Sequence, residues 1–81
     1  MANRYQKIRA LRLKYEAEIA EAKADIENYL DNSVGVAEHT RIIESIDSLM
    51  SSLADSEDKL QSLRRYFETT LYKNDTNSWA Y

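Results

Sequence analysis

The sequence predicts an all-α protein, an antiparallel two-helix hairpin completed by self-association into a helical bundle. Three observations predict it. Proline is absent and Gly35 is the only glycine among 81 residues, so little punctuates the chain. Apolar residues recur every three or four positions through two long stretches, which is the period of one helix face. A single cluster of turn residues, at about 32–37, separates those stretches.

The first helix is predicted over about 3–31. Its apolar residues fall at Ile8, Leu11, Tyr15, Ile19, Ala22, Ile26 and Leu30, with gaps of 3, 4, 4, 3, 4 and 4. This spacing reads as an eleven-residue repeat, in which Ile8, Ile19 and Leu30 are equivalent, and it favours a straight or slightly right-handed helix. The remaining positions are rich in Ala, Glu, Lys and Arg, all good helix formers.

The turn follows in Asn32-Ser33-Val34-Gly35-Val36. Gly35 suits the left-handed conformation that ends a helix, and Ser33 or Thr40 would cap the next one, with Glu38 in its first turn. A connection this short makes the two helices antiparallel neighbours.

The second helix is predicted over about 38–72 and carries heptads. Ile46, Leu53, Leu60 and Phe67 form one seam position, and Ile42, Leu49, Ser56, Leu63 and Thr70 form the other. Ile43, Met50 and Leu71 widen the stripe, so this helix is expected to face more than one neighbour. Ser56 leaves a gap in the seam, which a large residue such as Tyr15 would fill. The other serines, Ser45, Ser48, Ser51 and Ser52, read more readily as a solvated face than as close packing against a partner. The segment 73–81 is a polar tail ending in Trp79-Ala80-Tyr81. The whole of 1–81 makes one domain, and an elongated pair of helices buries little of its surface, which is why association is expected.

Charge is segregated along the chain. Residues 1–15 carry five cations and no acid, residues 16–58 carry a net −10, and residues 59–81 a net +2, which gives the formal charge of −3. Folding back once places both basic blocks at the open end and the acids around the turn, a bipolar rod. Seven of the eight aromatics, Tyr5, Tyr15, Tyr66, Phe67, Tyr72, Trp79 and Tyr81, fall at that basic end. Cations beside aromatic faces suit phosphates and bases, so Arg9, Arg12, Arg64, Arg65, Tyr66 and Trp79 are candidates for an anion- or partner-binding site. The competing and favoured account is structural: aromatics pack the bundle end, and its cations meet the acidic end of another copy. General nucleic-acid binding fits poorly with a net negative chain that has no basic stripe along its length.

A second face lies on the first helix. Ala10, Ala17 and Ala24 are seven apart, with Leu13 and Ala20 between them, nearly opposite the main seam. They are the candidate subunit interface, because Leu13 would otherwise be exposed. The alternative is that alanine is simply the best helix former and faces water.

No catalytic or metal-binding residue is assigned, and no cofactor is expected. Cysteine is absent and His39 is the only histidine, which excludes thiolate and ordinary zinc sites. His39 beside Glu38 reads as a cap or surface residue. The acidic pairs Glu57-Asp58 and Glu16/Glu18 sit on helix faces without phosphate-cradling loops or nucleophile elbows. A non-enzyme is therefore expected. With no apolar run of about 18 residues, no membrane partner is expected. The basic, amphipathic N-terminus lacks a signal-peptide core, so secretion by that route is not expected and the sequon Asn74-Asp75-Thr76 carries no weight.

Val34-Gly35-Val36-Ala37-Glu38-His39, followed by Ile42, Ile46-Asp47 and Glu57-Asp58-Lys59-Leu60, resembles short helical proteins of tailed bacteriophages over roughly 15–67. The resemblance implies a viral setting, in the virion or the host cytoplasm, and no site residue. Two functions then compete. One is a structural or assembly protein that self-associates or docks on a larger phage assembly. The other is a homo-oligomeric anti-defence protein that sequesters an anionic nucleotide signal at the basic aromatic end.

Overall fold

A computed structural model describes residues 3–31 and 39–68. It shows an all-α hairpin of two helices, α1 (Arg4–Asp31) and α2 (His39–Tyr66), each of 28 residues. At 1.5 Å per residue each is about 42 Å long. The helices run antiparallel. Arg12 meets Glu68, Glu16 meets Arg64, and Glu18 meets Ser56, so the numbering rises on one helix as it falls on the other.

The start of α1 is a capping box. The Asn3 side-chain oxygen accepts from the Gln6 amide at 2.8 Å, and the Asn3 amide donates back to Gln6 Oε1 at 3.0 Å. The Lys7 amide then donates to the Asn3 carbonyl at 3.0 Å, the first helical hydrogen bond. The first turn of α1 has no acid and begins with Arg4, an unfavourable sign at the positive end of a helix dipole. The antiparallel partner offsets this, because the carbonyl end of α2 lies beside it. Arg64 and Arg65 in the last turn of α2 carry the favourable sign for that end. Regular α-helix stops at Tyr66. Phe67 is a turn residue whose amide still donates to Leu63, at 2.9 Å, and Glu68 adds one 3-10 residue. Thr40 lies inside α2, which already begins at His39, so it does not precede the helix as a cap would. The other proposed cap, Ser33, the turn, the rest of the predicted second helix and the tail lie outside the described residues.

Burial corrects the predicted periods. On α1 the inward residues are Ile8, Tyr15 and Ala22 at one position and Arg12, Ile19 and Ile26 at the other. That is a heptad seam with an arginine in it, not an eleven-residue repeat. Leu30, the third equivalent residue of the longer repeat, is 63% exposed, and Leu11 is 39% exposed. The reason is geometric: α2 follows a seven-residue seam, and α1 must present the same period to stay in contact over its length. On α2 the predicted seam holds from Ile42 to Leu63. At its end the phase changes, so that Phe67 is half-exposed and Glu68 is buried in its place.

Among the described residues only five apolar side chains are buried: Ile8, Ala22, Ile26, Leu60 and Leu63. Nine large ones stay exposed: Tyr5, Leu11, Leu13, Tyr29, Leu30, Ile43, Met50, Tyr66 and Phe67. Among the described residues the core is a single seam between two helices.

Candidate functional site

Two polar clusters interrupt the seam. In the first, Arg12 donates to Glu68 Oε2 at 2.8 Å, and Arg64 approaches the other carboxylate oxygen at 3.8 Å. Arg64 also reaches Glu16 at 3.5 Å. Glu68 is only 7% exposed, so its charge is held by these two guanidiniums rather than by water. The predicted division of acids from bases is therefore incomplete: an acid is built into the basic end because an arginine occupies the seam there.

The second cluster lies halfway along the rod. Ser56, 6% exposed, donates its hydroxyl to Glu18 Oε1 at 3.1 Å, while Lys14 donates to Glu18 Oε2 at 2.7 Å. The Lys14 hydrogen bond, and then that of Ser56, hold the Glu18 carboxyl below its ordinary range, and the same pair raises Lys14. Tyr15 does not fill the gap over Ser56. A carboxylate fills it, because a buried hydroxyl needs an acceptor, and the Tyr15 ring instead lies under the Lys59 ammonium, 6.0 Å from its centroid.

Above these clusters, at the open end, one face of the hairpin holds a groove of about 490 Å³. Ile8, Leu11, Tyr15, Leu63 and Phe67 form its apolar walls, with Arg4, Asp58 and Lys59 at the rim. Leu11 and Phe67, 39% and 50% exposed, fall just outside the seam and line the groove. Farther along the same face the surface turns acidic, with Glu18, Glu21, Asp25 and Asp55 around Ser52 and Lys59.

The candidate anion site is only partly assembled. Arg12 and Arg64 converge, but on acids of their own chain. Arg65 lies 5.9 Å from the ring of Tyr66, which stacks edge-on against Phe67 at 6.3 Å between centroids. Arg9 is exposed on α1. Trp79 lies outside the described residues. The structure thus groups four cations and several aromatics at one end without closing them into a single pocket. The candidate interface residues Ala10, Leu13, Ala17, Ala20 and Ala24 are all exposed along the outer side of α1. Ser48, Ser51 and Ser52 are also exposed, and Ser45 is half-buried.

Net charge still changes sign along the rod. The open half, 4–14 with 59–68, sums to +7, and the turn half, 16–31 with 41–58, sums to −9. Among the described residues no three His, Cys, Asp or Glu side chains are placed to hold a metal ion, and no helix is long and apolar enough to cross a membrane.

The capping box and the buried ion pair were missed by sequence reasoning. Asn3-x-x-Gln6 was a readable signal for the first. For the second, the only signal was that Arg12 completes a heptad with Ile19 and Ile26.

No known family model, curated protein or solved structure matches the chain.

Proposed function

We propose that this protein is a non-enzymatic helical structural or assembly component that works by associating with copies of itself or with a larger body, in the phage-type setting that the resemblance suggests. One observation supports this above the others: among the described residues, five buried apolar side chains are set against nine large exposed ones. A single seam of this size is marginal as a core, since an isolated pair of elements buries too small a fraction of its surface. Exposed apolar residues on several sides of a hairpin are what a bundle subunit presents before its neighbours arrive.

The alternative, sequestration of an anionic nucleotide, would use the same open end. It has less to draw on there, because Arg12 and Arg64 already engage Glu68 and Glu16. Native mass spectrometry of the purified full chain at several concentrations tests both readings. A defined multimer without added mass supports assembly. A complex that retains a nucleotide mass supports sequestration. A monomer at every concentration, with no ligand, removes the self-association arm of the proposal.

A further inference from the structure

We propose that a second copy of this chain docks antiparallel onto the grooved face, with the partner's Tyr29 seated in the groove at the open end. The inference rests on the self-association reading and gives it a surface, an orientation and a contact.

Three features point to this occupant. The first is register. Tyr29 continues the heptad position of Ile8 and Tyr15, both of which line the groove, and it is 38% exposed. It is the one aromatic of the turn half, and the groove is in the open half. A two-fold axis through the middle of the rod, near residue 18, sets the partner's Tyr29 level with Lys7 and Ile8. That is where the walls Ile8, Leu11 and Phe67 stand open. The groove, at about 490 Å³, has room for a phenol ring.

The second feature is charge. An antiparallel partner lays its −9 half along the +7 half of this chain, and a parallel one sets like against like. The same axis brings the partner's Asp25 level with Leu11, within reach of the rim cations Arg4 and Lys59. Near the axis the two copies would oppose like charges, at Glu18 and at Asp58 of the groove rim. Each Glu18 is already paired within its own chain, to Lys14 and Ser56.

The third feature is size. Two helices side by side, each about 42 Å long and about 10 Å wide, present a face of about 800 Å², the area per partner of a standard stable interface. The result is a four-helix arrangement in which each groove is filled by the other chain.

The test uses the full chain. Sedimentation equilibrium measures dimer affinity for the wild type, Tyr29→Phe, Tyr29→Glu and Leu13→Glu, with circular dichroism as the check that helix is retained. Tyr29→Glu is expected to weaken the dimer at least tenfold, while Tyr29→Phe and Leu13→Glu stay within about threefold of wild type. The chain has no cysteine, so Arg9→Cys carries a single nitroxide. Two such labels should lie about 27 Å apart along the rod in an antiparallel pair and level with one another in a parallel one. A Tyr29→Glu dimer as tight as wild type overturns the proposal, as does a label separation of a parallel pair. If Leu13→Glu dissociates the dimer and Tyr29→Glu does not, the outer alanine face is the interface: this proposal fails and self-association stands. A monomeric wild type ends both. A monomer whose Trp79 emission moves to the red on Leu11→Asp would show the chain's own C-terminal segment in the groove, and that too overturns the second copy.

Discussion

Glu68→Gln isolates the buried ion pair. The variant keeps the shape of the side chain and one acceptor oxygen but removes the charge that Arg12 meets at 2.8 Å and Arg64 at 3.8 Å. Breaking a fully buried pair costs about 3–5 kcal/mol, because the remaining charge is stranded. An exposed pair is worth only about 0.2–1 kcal/mol. The Glu68 side chain is 9% exposed and that of Arg12 25%, so water relieves the stranded guanidinium in part. We therefore expect a loss of about 2 kcal/mol, between those limits. For a chain of this size that lowers the midpoint of thermal unfolding by about 8–16 °C. The assay is far-ultraviolet circular dichroism during heating, with protomer concentration held fixed because association shifts the midpoint by mass action. Glu16→Gln, which touches the exposed 3.5 Å contact to Arg64, is the internal control and should move the midpoint by less than about 8 °C. Equal small shifts for the two variants would show that Glu68 is no more than a surface partner, and would refute the account of Arg12 as a seam residue.

The other predictions concern pH, capping and period. The carboxyl of Glu18 is held below its ordinary 4.5, so its contribution to stability is complete above that pH and is lost as pH falls through the lower folded value. Lys14 is raised above its ordinary 10.5, so its contribution is complete below that pH and is lost as pH rises through the higher folded value. Glu18→Gln should flatten both limbs of a stability–pH profile, and an unchanged acid limb would contradict the pairing. Asn3→Ala removes the cap and should cost about 1 kcal/mol, with faster amide exchange at Gln6 and Lys7 than elsewhere in α1. Ile26→Ala should cost about 2–4 kcal/mol in denaturant unfolding, whereas Leu30→Ala should cost well under 1 kcal/mol; equal costs would restore the eleven-residue reading.

The hairpin itself was legible because the signals were local and mutually consistent. The absence of proline, the lone Gly35 and the apolar spacing of α2 all point one way, and the second seam holds from Ile42 to Leu63. The period of α1 was not legible from its apolar residues. Leu11 and Leu30 are apolar, Arg12 is charged, and counting hydrophobes selects the former. Which face is buried is decided by the partner helix, and Arg12 is held inside by Glu68, 56 residues away in sequence and 2.8 Å away in space. Ser56 is a similar case. Its gap was visible in the heptads, but the occupant depended on the register between helices, which brought Glu18 there and left Tyr15 beside Lys59. The spacing of the alanines places them together on the outer side of α1, where they are exposed. The groove could not be read from spacing, since two of the residues that line it, Leu11 and Phe67, just miss the seam.

The polar clusters also bear on why this hairpin has one register. A seam of Leu, Ile and Ala residues alone tolerates a slide of one heptad, because the apolar positions repeat. Shifting α2 by seven residues would set Arg12 against Gln61 instead of Glu68 and Glu18 against Leu49 instead of Ser56. The first change takes the buried carboxylate away from Arg12, and the second buries a carboxylate against an aliphatic side chain. Replacing the pair by hydrocarbon separates stability from specificity. Arg12→Leu with Glu68→Leu extends the apolar seam and removes two desolvated charges, so the double variant is expected to melt at or above the wild-type temperature, unlike Glu68→Gln alone. It should also lose uniqueness of register. In amide NMR spectra at fixed concentration, residues of α2 near Leu53 and Leu60 would show more than one set of resonances, where the wild type shows one. A double variant that is more stable and still gives a single set would mean that the connection between the helices alone sets the register. The buried ion pair would then be a cost that this chain carries without using it for alignment.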